Sequence, residues 1–281
     1  MWTKDKIFSY WVRTLCCCFI CTSILALPTN GNANETSSDS LNWAFQNSSG
    51  SGFSFNAQEN AKIYKFPLSY KLRNPNEVDW LVKFNFPLTI GIYNIEVEDQ
   101  DIDLNVLAVV PGIELHIPLR ENWILIPQVN LGLGKDTSGG HLRYIYSAGI
   151  KHHVFFDWKK FDFTFGNTLS YDGFFSDSTE DRDDFLSFST GIDMRYPLGI
   201  SLAHNPIYLS FYGVNYQYFD EVTVIESDEK TIKVYTQWEL GITLSTIPDL
   251  KIFWFRIQRV GIGYRFGDGF EAVRLVFGMP F

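Results

Sequence analysis

From about residue 60 onward, apolar and polar residues trade places at every second position. Phe163, Phe165, Leu169 and Tyr171 alternate with Asp162, Thr164, Gly166, Thr168 and Ser170. Leu186, Phe188, Ile192, Met194 and Tyr196 alternate with Ser187, Ser189, Gly191, Asp193 and Arg195. Ile232, Val234, Trp238, Leu240, Ile242 and Leu244 stand against Lys233, Gln237, Glu239, Gly241, Thr243 and Ser245, and Val82, Phe84, Phe86, Leu88, Ile90 and Ile92 against Lys83, Asn85, Thr89 and Gly91. A period of two is that of a β-strand with one greasy and one polar face. It predicts strands near 41–47, 62–72, 80–95, 104–118, 123–134, 142–156, 161–174, 185–197, 206–219, 231–247, 252–266 and 270–281. Twelve is an even number, as in single-chain bacterial membrane barrels.

The links between these strands fall into two sets. One set (73–79, 119–123, 157–160, 197–205 and 247–251) is mostly rich in Pro, Asn, Asp or Lys turn residues. The other (47–61, 96–103, 134–141, 174–184, 219–230 and Gly267-Asp268-Gly269) is mostly longer. It carries acidic clusters: Glu96, Glu98, Asp99, Asp101 and Asp103; Asp177, Glu180, Asp181, Asp183 and Asp184; Asp220, Glu221, Glu226, Asp228 and Glu229. Short turns opposite longer loops are the asymmetry of an outer-membrane barrel, with the acidic set facing outward. Those loops could gather divalent cations, but no stretch has an ordered calcium-loop spacing, and a solvated acidic surface accounts for them.

Residues 1–33 read differently. Lys4, Lys6 and Arg13 make a basic start, Leu15 to Leu27 is apolar, and Gly31-Asn32-Ala33 offers small residues for a signal peptidase. A cleaved export signal over 1–33 is expected. Residues 34–60 form a Ser/Asn/Gly-rich segment, with a possible first strand at Leu41, Trp43 and Phe45, and 61–281 form the barrel. All four cysteines (Cys16, Cys17, Cys18 and Cys21) lie in the signal, so the remainder has no disulfide, thiolate metal site or cysteine nucleophile. The whole chain has 23 basic and 32 acidic residues. Without Lys4, Lys6, Arg13 and Asp5, 20 and 31 remain, a net charge of −11. Such an acidic chain does not suit nucleic acid, which needs clustered Lys and Arg.

A soluble β-sandwich or lipocalin-like barrel alternates too. Three features favour lipid. The polar face is rich in Gly, Ser, Thr and Asn with charges of both signs, as suits a crowded lumen. Aromatics make up 17% of the chain, and Trp80, Trp123, Trp158, Trp254, Tyr171, Tyr196, Tyr218 and Phe266 lie near strand ends, where rings favour the headgroup boundary. In the last strand Val273, Leu275, Phe277, Met279 and Phe281 alternate outward, with Ala272, Arg274, Val276, Gly278 and Pro280 between them. This ending, with Phe277, Met279 and Phe281, resembles the signal by which outer-membrane barrels are recognised for insertion. It implies insertion machinery, periplasmic chaperones and outer-membrane lipids as partners.

The same parity sends Lys65, Lys71, Lys83, Glu114, His116, Arg143, Lys151, Asp162, Asp193, Arg195, Lys233, Glu239, Arg259, Arg265 and Arg274 into the lumen. They can pair and fill it, or line a narrow pore with a preference for anionic solutes. A third possibility, a barrel-embedded lipid hydrolase, needs a Ser–His pair on one face. Tyr235-Thr236-Gln237 matches a fragment of the outer-membrane phospholipase pattern, but the companion His-x-Ser-Asn-Gly is absent. His152-His153 reads as interfacial. No phosphate-binding glycine loop leads into a helix, so no cofactor, metal or catalytic residue is assigned.

Gly261-Ile262-Gly263-Tyr264-Arg265-Phe266-Gly267-Asp268-Gly269-Phe270, followed by Arg274-Leu275-Val276-Phe277-Gly278-Met279-Pro280-Phe281, resembles the closing hairpin of the solitary outer-membrane autotransporter-like β-barrels of Gram-negative bacteria. Pro111-Gly112-Ile113-Glu114 and Tyr144-Ile145-Tyr146-Ser147-Ala148-Gly149 fit the same pattern, so the likeness covers roughly residues 105 to 281. It implies an all-β transmembrane up-and-down barrel. Only Asn34 to Asn60 precedes the barrel, and it lacks a 3.6-residue apolar period. The expectation is therefore a passenger-free, non-enzymatic envelope protein with a small or plugged lumen.

Overall fold

The alternating segments close into a ring. A computed structural model of the chain describes residues 40–48, 52–56, 60–73, 80–97, 100–136, 142–177, 182–202, 204–226, 231–252, 255–268 and 270–281. The expected export signal, Trp254 and several loop acids (Glu98, Asp99, Glu180, Asp181, Asp228 and Glu229) lie outside the described residues. A two-residue strand, β1 (Ser40–Leu41), and one helical turn and a half, α1 (Trp43–Ser48), come first. Then follow β2 (Gly52–Asn56), β3 (Asn60–Arg73), β4 (Leu81–Val97), β5 (Gln100–Val109), β6 (Gly112–Arg120), β7 (Trp123–Asp136), β8 (Leu142–Trp158), β9 (Phe161–Ser176), β10 (Arg182–Leu202), β11 (Asn205–Glu226), β12 (Thr231–Ile252), β13 (Phe255–Gly267) and β14 (Phe270–Phe277).

From β2 onward each strand pairs antiparallel with its neighbours in sequence, except that β5 and β6 do not pair with each other. β14 returns to β2 in register from Ala272↔Asn56 to Val276↔Gly52, so the ladder has no free edge to offer another chain. β5 and β6 form one stave, since both pair with β4 on one side and β7 on the other. Pro111, which has no amide hydrogen, interrupts it. Across the gap Val110 donates to the Pro87 carbonyl (3.3 Å) and Leu131 to that of Pro111 (2.9 Å). The ring therefore has twelve staves.

The twelfth is not the one expected. Residues 41–47, read as a first strand, are mostly the helix α1, and the short β2 takes the place in the wall. Asn42 caps the helix, its Oδ1 accepting the Phe45 amide at 2.8 Å. Strand lengths also exceed the sequence reading. β10, β11 and β12 run for 21, 22 and 22 residues, against about 9–11 needed to span a bilayer. Parts of the expected acidic loops, 219–226 among them, are strand.

The faces are arranged in the opposite sense to a water-soluble protein. On β12, Leu240, Ile242 and Leu244 are exposed, whereas Glu239, Gln237 and Thr243 are at most 1% exposed. The same holds on β13 and β14, where Val260, Ile262, Tyr264 and Val273 are exposed and Arg265 and Arg274 buried. A belt of exposed Leu, Ile, Val and aromatic side chains around a charged interior is stable with hydrocarbon outside it. The molecule is a transmembrane β-barrel, not a soluble sandwich.

Candidate functional site: the lumen

The upper end of the barrel is taken as the one where β9, β11 and β13 end and β10, β12 and β14 begin. The lower end bears the Glu121–Asn122 and Lys159–Lys160 turns. At the upper end α1 lies inside the ring. Trp43, Ala44 and Phe45 are buried against inward residues of the wall: Val106 and Ala108 of β5, Ile145 of β8, Phe174 of β9, Phe185 of β10, Tyr218 and Val222 of β11 and Val234 of β12. Gly134 of β7 is where the Trp43 ring fits, because a Cβ there would fall on the ring. Two guanidiniums face the helix aromatics, Arg143 over Trp43 at 5.4 Å and Arg265 of β13 over Phe45 at 5.8 Å. The cluster and these contacts together draw on eight staves. Two further ties hold the segment. Ser40 and Leu41 pair with Glu226 and Ile225 where β11 overhangs its neighbour, and the Asn42 amide donates to Asp183.

Below the helix the lumen is crossed by a buried polar network. Glu239 is 0% exposed and pairs with Arg274. It also accepts hydrogen bonds from Tyr212 (2.8 Å) and Tyr216 (3.2 Å). Arg265 donates to the Tyr218 hydroxyl at 2.9 Å, which donates to Gln237 Oε1 at 3.3 Å, and its guanidinium lies 3.9 Å from the Tyr216 ring centroid. Nearby, Ser170 donates to Asp172. Since a buried charge without a partner costs several kcal/mol, about 3–5 when one member of a pair is removed, these pairs fix which strands face each other.

Nearer the lower end Arg259 of β13 forks onto Asp193 of β10 at 2.7 and 3.1 Å, spanning the interior between non-adjacent strands. Glu114 of β6 meets Lys83 of β4 (3.3 Å), His116 (3.1 Å) and Lys151 of β8 (3.6 Å). Arg195 pairs with Asp162 at 2.8 Å and lies over Tyr208 at 5.0 Å. Lys65 is buried, and Lys71 is exposed.

Three sequence readings need correction. Lys233 does not enter the lumen. Val234 and Gln237 are both 0% exposed although three residues apart, so the alternation slips between them. The cause is Asp268, whose carboxylate accepts the consecutive amides of Tyr235 (2.7 Å) and Thr236 (2.6 Å), a bulge that re-aims the strand. Lys233 is exposed and bonds Glu221 at 3.2 Å. Second, the outward alternation of the last strand ends at Phe277. Gly278 takes φ +89, where L side chains are strained, Pro280 cannot continue the ladder, and the chain turns inward. Phe281 comes to rest against Gly166 and Gly191, where a Cβ on either would meet its ring. Third, His153 is not interfacial but faces the lumen, edge-on to Phe281 at 5.9 Å.

On the outer face His152, Asn167 and Thr190 form a chain across β8, β9 and β10. Thr190 donates to Asn167 Oδ1 (2.7 Å), and the Asn167 amide meets His152 Nε2 (2.8 Å). A hydrolytic triad needs the histidine between nucleophile and orienting group. Here the asparagine is in the middle.

Sequence reasoning found the inward charges by parity but missed α1 and the inward turn of 278–281. The signal for α1 was present in Asn42 as a cap, but six residues are too few to display a 3.6-residue period. No protein-family model matches the chain, and no curated protein matches it in sequence. Among solved structures, one titled "NanC porin structure in rhombohedral crystal form" is similar at a TM-score of 0.42 and 13% identity, over 81% of this chain and 98% of that one.

Proposed function

We propose that this chain is an exported, integral outer-membrane barrel of the autotransporter-like kind without a passenger, and that it serves as a non-enzymatic envelope protein with a lumen closed by its own residues. The observation that carries the reading is α1, whose buried aromatics share a core cluster and ring contacts that together draw on eight of the twelve staves. The cross-strand pairs below it add to the closure. Outer-membrane residence is supported by the exposed apolar belt around a ladder that returns on itself, since a closed barrel can cross hydrocarbon with its backbone groups paired.

The open-pore alternative requires a continuous aqueous path, which both the plug and the Phe281 tail obstruct. The hydrolase alternative requires a nucleophile on the histidine, and Asn167 stands in that place. Planar-bilayer recording with purified, refolded full-length protein tests the proposal. It predicts a silent membrane over a wide voltage range. Reproducible conductance steps from the unaltered chain would overturn it.

A further inference from the structure

Charge is left unbalanced toward the lower end of the lumen. In the register of β3, β4, β6 and β7 the inward residues Lys71, Lys83, Glu114 and Gln128 stand opposite one another in one row. Like charges directly opposite on one face, as Lys71 and Lys83 are, destabilise a sheet. The neighbouring carboxylate is that of Glu114, and it is shared. Lys83 (3.3 Å) and His116 (3.1 Å) meet one of its oxygens, and Lys151 of β8 approaches the other at 3.6 Å. Among the described residues Lys71 has no ion-pair partner. Three lysines against one glutamate leave a net charge of +2 (3 − 1) before any proton on His116. Other inward carboxylates at this end do not reduce it. Asp162 and Asp193 are held by Arg195 and Arg259. Exposed Asp157 lies six residues beyond Lys151 along β8, roughly 20 Å away.

Solvent reaches these lysines from below. On the inward face of β3, Lys71 and Ser69 are exposed but Lys65 is buried. On β4, Lys83 and Asn85 are half-buried and Thr89, opposite Lys65, is buried. On β6, Pro118 is exposed, His116 half-buried and Glu114 buried. Three strands that lose exposure in step describe a recess open at the lower end and floored by Lys65, Thr89 and Glu114. The side chains of Lys83, His116 and Lys151 keep 23%, 24% and 24% exposure within it. An ammonium carries three donors, so Lys83 and Lys151 retain donors beyond the one each turns toward Glu114. Low-dielectric walls bearing one sign of charge concentrate counter-ions.

We propose that Lys71, Lys83 and Lys151, gathered about Glu114, form a binding site for a small, doubly charged oxyanion, an inorganic phosphate or a dicarboxylate, that enters from the lower end and goes no further. Separated negative oxygens suit ammoniums carried on three different strands, whereas chloride offsets only one of the two excess charges. A phospholipid headgroup carries the same chemistry, but its acyl chains belong on the outer face of the wall, opposite to the face these lysines occupy. The inference goes beyond the closed-barrel reading, since a recess that ends at Lys65 binds without conducting. A conducting barrel that takes up phosphate would overturn that reading alone, and a silent barrel indifferent to both solutes would overturn this one alone.

The test is isothermal titration calorimetry on the refolded full-length protein in a non-ionic detergent, at a pH where phosphate is doubly charged. Phosphate or succinate is titrated against chloride at constant ionic strength, and a third arm adds a short-chain phosphatidylglycerol to the micelles. Saturable binding of one phosphate or one succinate per chain is expected. Lys71→Met and Lys151→Met should each weaken it by about fivefold or more, and together they should abolish it. Lys151→Arg, which keeps the charge, should bind within about twofold of the unaltered chain. Binding confined to phosphate, or to succinate, identifies which oxyanion is held. The proposal is overturned if neither solute binds saturably, if binding is unchanged in both methionine variants, or if the phospholipid alone binds. Should Lys151→Met fail to fold, Lys71→Met, at an exposed position with no described ion pair, decides alone.

Discussion

Replacing Trp43 by alanine should free α1 from the lumen while leaving the barrel folded. Helices shorter than about 12–15 residues are marginal in water, so the six residues of α1 hold their place through what they bury. Trp43 is 2% exposed, fits over Gly134, and stacks beneath Arg143. Burying a large aromatic removes about 150–250 Å² from water, which at ~25 cal/mol per Å² amounts to roughly 4–6 kcal/mol. Truncation of buried Trp to Ala typically costs about 3–5 kcal/mol, and the Arg143 contact contributes about 0.5–2 kcal/mol of its own. A loss of about 4 kcal/mol multiplies the undocked population by roughly a thousand. The twelve-stave ladder does not run through α1, so strand stability should hardly change. Hydrogen exchange read by mass spectrometry on residues 40–48 should therefore accelerate about a thousandfold in Trp43→Ala, while amides in β10–β12 keep their protection. Equal exchange in the two proteins would refute the claim that burial of this ring retains the plug. Loss of protection throughout the wall would refute the claim that plug and barrel are energetically separable.

Glu239→Leu should remove the carboxylate that pairs with buried Arg274 and destabilise the barrel by about 3–5 kcal/mol in urea unfolding, whereas Glu239→Leu with Arg274→Met should recover most of that loss. Gly191→Val should expel Phe281 from its seat. Alone it is expected to stay silent in a planar bilayer because α1 still closes the upper end, but combined with Trp43→Ala it should give measurable conductance. Leu240→Arg, placing a charge on the exposed belt at 56% exposure, should cost about 2–4 kcal/mol if that position lies near the bilayer midplane. It should lower the yield of membrane-inserted protein accordingly.

Most of the wall was legible because a two-residue period reports directly on which side chain meets hydrocarbon. The parity that sent Glu239, Arg265 and Arg274 inward needed no knowledge of their partners. It failed where a non-local group intervened. Nothing near Lys233 in sequence announces the bulge, because its cause, Asp268, is 35 residues away along the chain. It failed again at Leu41, Trp43 and Phe45, which alternate as a strand does. Helix wins there because Asn42 satisfies the Phe45 amide and the lumen supplies apolar walls on nearly every side. The pairing of charges, such as Arg259 with Asp193 across the interior, depends on barrel curvature and stagger that no local pattern encodes. Phe281 extended the outward parity of β14 on paper. Gly278 and Pro280 were the available warning that the ladder stops.

The central claim is that hydrocarbon meets one face of these strands and a closed interior the other. Spin labels placed one at a time on cysteines at 237 to 244 of β12, in a chain whose Cys16, Cys17, Cys18 and Cys21 are changed to serine, test it in lipid vesicles. Collision with oxygen, which dissolves in the bilayer, should peak at 238, 240, 242 and 244 and fall at 237, 239, 241 and 243, with a water-soluble nickel chelate excluded from both sets. Chelate access at the even positions would place that face in water, and chelate access at the odd ones would mean an open channel; either result contradicts the account.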